Sequence, residues 1–413
     1  MKKVNLLILC LFSSVLSFAE GKTLDEKKKG TPEAKTTTTE VKEEKTAPKE
    51  EDKGKFTFSG YIDSYYMGNL NSPASRSNLG RSGTARAFDQ RSGQFSLGLV
   101  QTKMQYATEK SDVVVDLAFG PNADLGNYGN VFTPLVGVAG GTTSLAIKQA
   151  YFNWKATSKF TLTAGQFGTH IGYEVIDAPV NFHYSLSNLF NNGPFYHIGV
   201  KGQYAFSDKA SLMVGLVNNV DNLNDNNRAK GLIAQLFVSP AAGWNVYLNA
   251  ITSNEAAPKA NGKDSTGAYS LIDLTTTYQI TPKFMFGVNA AYGSQTGNFQ
   301  GSAGGPKGKT WNGVALYTNY AVSDVFSLGA RFENFNNQNA VRGLRYVDAN
   351  DNLVGVSVNS LTITGNFTAA DGHLLIKPEF RMDSYDKNFF EDDKGDYSKK
   401  SQSTVGLAFI YKF

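Results

Sequence analysis

The sequence predicts an all-β fold, namely a transmembrane, antiparallel, up-and-down β-barrel of about 16 strands. Three observations support it. Apolar residues alternate with small or polar ones over about 10 positions at a time, no stretch shows a long helical apolar stripe, and short and long connections alternate along the chain. Strands of about 9–11 residues, when tilted, are long enough to cross the hydrocarbon layer of a bilayer.

The connections determine the predicted strand number. Short breaks, expected on the periplasmic side, alternate with long polar or glycine-rich loops, expected on the external side. The short breaks lie at 109–111, 157–159, 207–209, 240–243, 281–283, 322–324 and 370–372, and the long loops at about 70–93, 121–144, 169–195, 218–229, 253–267, 294–308, 336–356 and 383–399. This pattern is typical of outer-membrane barrels, in which the strand number is even and both ends lie on the periplasmic side.

The two faces of each strand differ in polarity. In the segment DVVVDLAFG (112–120), alternate valine, leucine and phenylalanine side chains are predicted to contact lipid, and Asp116 to face the interior. A water-filled interior accepts charged side chains, whereas a dry core does not. Lys148 is an exception, because parity places it beside Phe152 and Trp154 on the lipid side. It either snorkels at the rim or marks a slip in register.

The N-terminal residues indicate export. Lys2 and Lys3 precede an apolar run, and cleavage is expected after Ala19, which makes residues 1–19 a signal peptide. The run is shorter than the roughly 20 residues that a membrane-spanning helix needs. The only cysteine, Cys10, lies within this segment, so the exported chain is expected to form no disulfide and no cysteine metal site.

Residues 20–55 differ in composition from the rest of the chain. Lysine and acidic residues are balanced there, and large apolar side chains are almost absent. Such a segment cannot bury enough apolar surface to fold, so we predict a disordered, charged periplasmic tether. The barrel itself is predicted to span 56–413.

The final segment, STVGLAFIYKF (403–413), reads as a strand with aromatic residues at alternate positions and Phe413 at its end. Every backbone donor and acceptor in lipid must be paired, so the last strand is expected to pair with the first, near Phe56 to Tyr66. The segment also resembles the assembly signal of Gram-negative outer-membrane proteins. That resemblance implies recognition of Phe413 by the outer-membrane assembly machinery.

Three longer segments resemble the OmpL-like β-barrel porin-2 family of Gram-negative outer-membrane proteins. They are FSGYIDSYYMGNLNSP, AIKQAYFNWKATSKFTLTAGQFGTHIGYE and PFYHIGVKGQYAFSDKASLMVGLVNN. The resemblance covers about 56–413 and implies a passive channel for small hydrophilic solutes or ions in the outer membrane, in contact with lipid and lipopolysaccharide. A homotrimer is an expectation taken from porins of this strand number. The resemblance does not identify the solute.

One predicted external loop is unusually apolar. The segment THIGYEVIDAPVNFHYSLSNLFNNGP (169–194) is rich in aromatic and aliphatic residues and has few charges, which indicates that it packs against other parts of the protein. It resembles the loop that folds back into the barrel in general porins. We predict that it forms the constriction, lined by Glu174 and Asp177. Packing on neighbouring loops or at a subunit contact is the alternative.

Charged residues at inward-facing positions are the other candidate pore residues. Mixed signs predict a transverse field and weak ion selectivity, and the alternative is that some of them pair as structural salt bridges on the wall. They are Arg331, Glu333, Lys377, Glu379 and Arg381, with Asp63, Lys103, Asp116 and Lys201 as companions.

Other functional classes find less support. A net charge of +4 without a basic face argues against nucleic-acid binding. No GxSxG, HExxH or P-loop motif occurs, so we predict no enzyme activity and no cofactor. An anion- or phosphate-selective porin and an adhesin or structural barrel remain as alternatives. The arginines that recur every five residues in the first long loop have an odd spacing and would form an external basic rim rather than a ladder; they are Arg76, Arg81, Arg86 and Arg91.

Overall fold

The computed structural model describes residues 54–126, 146–218, 220–225, 227–256, 267–299 and 302–413. The predicted signal peptide and the predicted tether up to residue 53 lie outside these residues. The described chain forms a closed antiparallel barrel of 16 strands, which confirms the predicted fold class.

The barrel strands follow one another around the wall in chain order, and a small hairpin is inserted after the thirteenth strand. No helix among the described residues is long and apolar enough to cross a membrane. The helices are α1 (Pro121–Gly126), α2 (Asn188–Asn192) and a 3₁₀ turn at Ala370–Gly372. The strands are β1 (Lys55–Asn69), β2 (Phe95–Ala107), β3 (Ser111–Phe119), β4 (Ile147–Lys155), β5 (Phe160–Gly168), β6 (Tyr196–Ser207), β7 (Ala210–Val217), β8 (Gly231–Ala241), β9 (Trp244–Asn254), β10 (Ala268–Thr281), β11 (Phe284–Phe299), β12 (Ser302–Ala321), β13 (Phe326–Asn336), β14 (Arg345–Val347), β15 (Leu353–Gly355), β16 (Ser357–Ala369), β17 (Leu374–Tyr385) and β18 (Ser401–Lys412).

The barrel closes between its first and last strands, as predicted. β1 pairs with β18 from Tyr61 opposite Lys412 to Asn69 opposite Thr404. The N–H of Gly60 donates to the carbonyl of Phe413 at 3.1 Å, and the N–H of Phe413 donates back at 3.0 Å. The pairing leaves no free edge between these two strands, as a barrel in lipid requires.

The predicted inner and outer faces are confirmed. On β13, Phe332 is 49% exposed on the outside, whereas Arg331 and Glu333 are fully buried on the inside. On β3, Val113 and Phe119 are exposed, and Asp116 is buried on the inside. The exposed apolar side chains therefore form the surface that would face lipid.

All the predicted short breaks join consecutive strands, but one long loop was wrongly placed. Instead of a loop at 294–308, β11 continues to Phe299 and β12 begins at Ser302, with Gly297 opposite Gly305. This glycine-rich stretch lacks the apolar alternation that predicts a strand. Strand pairing outside lipid depends on backbone hydrogen bonds and does not require that alternation.

Of the two alternatives for Lys148, the slip in register is confirmed and the lipid-side placement is wrong. Asp116 of β3 lies opposite Gln149, and the next pair is Leu117 opposite Ile147, so Lys148 is an extra residue in β4. A bulge of this kind shifts the alternation by one residue, so Ile147 lies on the outer face and Gln149 on the inner face. Lys148 therefore turns inward and forms ion pairs with Asp116 and with Asp177.

Candidate channel constriction

The loop between β5 and β6, residues 169–195, is the main candidate for a constriction; we call it the inner loop. Its most regular part is α2, where the Ser187 hydroxyl accepts the N–H of Phe190 at 3.0 Å and so caps the helix. Polar groups of the loop contact inward-facing residues of strands far apart in the sequence. These contacts place the inner loop inside the barrel.

Two carboxylates of the barrel wall bind the backbone of the inner loop. Glu333 of β13 accepts the N–H groups of Asn188 at 2.8 Å and Leu189 at 2.7 Å, at the start of α2. Glu379 of β17 accepts the N–H groups of Tyr184 at 2.8 Å and Ser185 at 3.0 Å. A carboxylate satisfies backbone donors that would otherwise be buried without a partner, so each acid fixes a turn of the loop.

Three wall cations bind loop carbonyl oxygens nearby. Arg331 donates to the Ser185 carbonyl at 2.9 Å, and Arg381 donates to the Leu186 carbonyl at 2.6 Å. Lys377 donates to the carbonyls of Ala178, at 2.9 Å, and Asn181.

Arg331 also forms an ion pair with Glu174, whose other oxygen accepts the N–H of Ser187 at 2.7 Å. All these wall side chains are buried. Their charges are therefore compensated by the loop or by each other.

The start of the inner loop is bound to the adjoining part of the wall, on β10–β12. The N–H of Gly172 donates to Asp273 of β10 at 3.1 Å. Tyr173 stacks on Tyr317 of β12, with ring centroids 4.1 Å apart, and its hydroxyl lies 3.7 Å from the sulfur of Met285. The loop is thus in contact with β10–β12 as well as with β13–β17.

A third set of contacts reaches β1 and β4. The Tyr61 hydroxyl donates to Asp177 at 3.2 Å, and Lys148 forms an ion pair with the same carboxylate. The Tyr184 hydroxyl donates to Asp63 at 3.1 Å. Together the three sets of contacts connect the inner loop to strands on several sides of the barrel.

The residues predicted from parity to line the pore differ in accessibility. Each faces the interior or belongs to the inner loop, but most are covered by protein atoms and not open to a channel. Among them, Lys103 is partly exposed and the side chain of Asp177 is 23% exposed. The buried ones are Glu174, Arg331, Glu333, Lys377, Glu379, Arg381, Asp63 and Asp116. Their role in solute passage stays a prediction.

The inner wall has two regions with different accessibility. On β13, β16, β17 and β18 the inward-facing side chains beneath the inner loop are buried; we call this region the covered wall. On β2, β4 and β6, several inward-facing polar side chains are partly exposed; we call this region the open wall. Its partly exposed polar members are Lys103, Gln105, Gln149, Tyr151, Lys201 and Gln203.

The external end of the barrel is partly filled by other loops. Arg86, in the first long loop, lies 2.8 Å from Asp89 and 2.9 Å from Asp383 of β17 in two buried ion pairs. The prediction that Arg86 belongs to a basic external rim was therefore wrong. The other three arginines of that prediction are exposed; they are Arg76, Arg81 and Arg91. Odd spacing alone could not reveal that one of the four arginines turns inward.

Two buried carboxyls in external loops were not predicted from the sequence. Asp221 accepts the N–H groups of Phe195, at 2.6 Å, and Tyr196, at 3.0 Å, where the inner loop joins β6. Glu255 accepts the N–H of Val220 at 3.2 Å. Burial raises the pKa of both carboxyls to about 7, which makes the end of the inner loop sensitive to pH.

This geometry defines a class of protein. A closed barrel of 16 strands with a loop bonded across its interior is the architecture of an outer-membrane porin. The family described as "Putative beta-barrel porin-2, OmpL-like" matches residues 55–413, and the chain belongs to this family. The family implies a Gram-negative outer membrane. No curated protein sequence matches the chain.

Solved porin structures share the fold. The outer-membrane channel DcaP of Acinetobacter baumannii is 11% identical with a TM-score of 0.54, over 87% of this chain and 97% of that chain. OmpF of Salmonella typhi, in complex with daunomycin, is 7% identical with a TM-score of 0.53, over 88% and 98%. An anion-selective porin from Comamonas acidovorans is 9% identical with a TM-score of 0.52, over 87% and 100%. At such identities the likeness shows the fold alone.

Proposed function

We propose that this porin is a diffusion channel in which small hydrophilic solutes or ions pass through a lumen narrowed by the inner loop. The observation that carries the proposal is the set of hydrogen bonds and ion pairs between this loop and inward-facing side chains around the barrel. A barrel of this strand number is wide enough for an aqueous channel. Its selectivity then depends on the elements that narrow it.

We place the path along the open wall. The covered wall uses its charges to hold the inner loop, so these charges are not free to meet a solute. The open wall keeps polar side chains partly exposed, including Lys103 and Gln203. A polar, partly solvated surface is the expected lining of a diffusion pathway.

The proposal requires no catalytic step. Among the described residues, no group of three His, Cys, Asp or Glu side chains is arranged as a metal site. Contact with outer-membrane lipid and lipopolysaccharide, recognition of Phe413 by the assembly machinery and a homotrimeric state belong to the proposal as expectations. So does export by a cleaved signal peptide.

Planar-bilayer recording of the refolded full chain tests this proposal. We would compare it with a variant shortened within 174–190. The matched control would be shortened at the tip of the β14–β15 hairpin, 348–352. The hydrogen bonds of this tip stay within the hairpin and do not reach the inner loop or the covered wall. We expect discrete conductance steps from the full chain, larger steps when the inner loop is shortened, and no change in the control.

Two results would contradict the proposal. Absence of steps from a folded, heat-modifiable barrel would remove the porin function and favour an adhesin or structural barrel. Equal conductance with and without the inner-loop segment would remove that loop as the constriction. Block of chloride current by added inorganic phosphate would instead favour the phosphate-selective alternative.

A further inference from the structure

Lys201 is an inward-facing cation of the open wall with an unusual environment. Its Nζ lies 4.3 Å from the centroid of the Phe167 ring, and Phe167 itself is buried. No carboxylate among the described residues forms an ion pair with it. The charge of Lys201 therefore lacks the compensation that the cations of the covered wall receive.

Two histidines lie close to this lysine. His197, on the same face of β6, has its ring centroid 5.8 Å from that of His170 and 6.4 Å from that of Phe167. Its Nε2 lies 3.1 Å from the hydroxyl of Thr169. The Nδ1 atoms of both imidazoles are buried and have no hydrogen-bond partner among the described residues. Buried nitrogens of this kind are normally satisfied by a water molecule or a ligand.

One tautomer of His197 has an Nδ1–H donor without a partner among the described residues. The Thr169 hydroxyl oxygen accepts the N–H of Ile171 at 3.1 Å, so its own proton can be donated to Nε2 of His197. In the neutral imidazole the remaining proton then lies on Nδ1, which becomes a hydrogen-bond donor. Burial lowers the pKa of His170 to about 4, so His170 carries no charge at neutral pH. The cluster thus has one full positive charge and one unused N–H donor.

Three wall positions near Lys201 are glycines. Gly199 occupies the inward-facing position between His197 and Lys201, and it lies opposite Gly165 of β5. Gly215 of β7 lies opposite Lys201. These glycines allow the neighbouring strands to pack closely: a Cβ at Gly199 would lie 2.2 Å from the carbonyl oxygen of Leu216, and one at Gly215 would lie 2.7 Å from the Cβ of Lys201.

We propose that Lys201 and the Nδ1–H of His197 form a binding subsite for a small monovalent anion on the open wall. The inference rests on the proposed channel function and assigns it a preference for anions. The single charge suits chloride or a small carboxylate better than a phosphate dianion, which would require more positive charge in the same space. The carboxylates of the covered wall do not oppose this preference, since they bind the inner loop.

Reversal potentials in a KCl gradient test the subsite, using the full chain and three single variants. In Lys201→Gln the ratio of chloride to potassium permeability is expected to fall about three- to fivefold, as loss of one unit charge near the ion implies. Lys201→Arg keeps the charge and should retain the ratio. Lys103→Gln removes an open-wall charge that has no histidine beside it, and it should change the ratio by less than half as much.

Three results would overturn the subsite. The first is an unchanged ratio in Lys201→Gln. The second is an equal effect of Lys103→Gln, which would indicate a general field rather than a site. The third comes from a binding measurement that does not depend on transport. Crystals grown in sodium bromide are expected to show an anomalous bromide peak beside Lys201, and crystals of Lys201→Gln are expected to lack it. Absence of this peak from the full chain would refute the subsite even if conductance confirmed the channel.

Discussion

The covered wall and the open wall use similar residue types for different purposes. On the covered wall, Glu333 and Glu379 accept backbone N–H groups of the inner loop, and Arg331 and Arg381 donate to its carbonyl groups. On the open wall, Lys201 has no ion-pair partner among the described residues and is partly exposed. Inward-facing charge alone therefore does not identify a pore-lining residue, because what covers the side chain decides its role.

The largest expected effect comes from breaking the ion pair that holds the inner loop to the covered wall. Arg331→Ala would leave Glu174 buried without its partner, which costs about 3–5 kcal/mol for a buried pair. This cost is relieved when the loop leaves the wall and Glu174 becomes solvated. We expect limited proteolysis to cut the inner loop in the folded variant and single-channel conductance to rise.

Arg76→Ala serves as the matched control for that experiment. Arg76 is exposed and donates to the carbonyl of Gly93 within its own loop. This variant should keep the protease resistance and the conductance of the unmodified chain. An inner loop that stays resistant in Arg331→Ala would contradict the anchoring role of the covered wall.

A smaller loss is expected from neutralising one wall carboxylate. Glu333→Gln keeps one acceptor oxygen but places an NH₂ group close to the N–H donors of Asn188 and Leu189. An unsatisfied buried donor costs about 1–3 kcal/mol. Hydrogen exchange of these two amides should accelerate, whereas Gln105→Ala on the open wall should leave it unchanged.

The external loops should respond to pH. Burial raises the pKa of Asp221 from 3.8 and of Glu255 from 4.5, in both cases to about 7, although Arg342 opposes the shift in both groups. Their protonated forms are thus favoured in the native loops. The stabilisation they provide is fully present below the ordinary pKa values of 3.8 and 4.5, decreases as the pH rises above them, and is lost once the pH has passed about 7.

Current fluctuations of the open channel measure this effect. They should increase as the pH rises from about 4.5 to about 7 and change little above about 7, because the end of the inner loop becomes less firmly held. An Asp221→Asn and Glu255→Gln double variant should show little change over the same range. Equal pH dependence in both proteins would show that other groups cause it.

The smallest structural effect is expected on the open wall. Gln105→Glu adds a negative charge at a partly exposed, inward-facing position. The free energy of unfolding should change by no more than about 0.5 kcal/mol, as for most exposed substitutions. The reversal potential should nevertheless move toward cation preference. A large loss of stability without a shift in selectivity would contradict the assignment of Gln105 to a channel-facing open wall.

The sequence predicted the barrel because the physics of the fold is local and periodic. Alternation along β3 and β13 identified both faces, and the final strand with Phe413 pairs with β1 as closure requires. Alternation alone placed Lys148 on the wrong face, and only its charge at a lipid-facing position indicated the register slip that the bulge produces.

The sequence also could not show which side chains of the inner wall are buried by the inner loop. The contact of Glu333 with Asn188 joins residues 145 positions apart, and parity reports only which way a side chain points. The inner loop was recognisable from its apolar composition. The residues that hold it in place became visible only from the three-dimensional contacts.

Single-channel conductance of a Glu333→Ala and Glu379→Ala double variant tests the central claim most directly. Both carboxylates bind only the backbone and polar groups of the inner loop and neighbouring wall side chains, so their loss should release the loop while the barrel remains closed. Conductance rising toward that of the variant shortened within 174–190 is the predicted result. A double variant that is folded, has a protease-sensitive inner loop and still conducts like the unmodified chain would contradict the account.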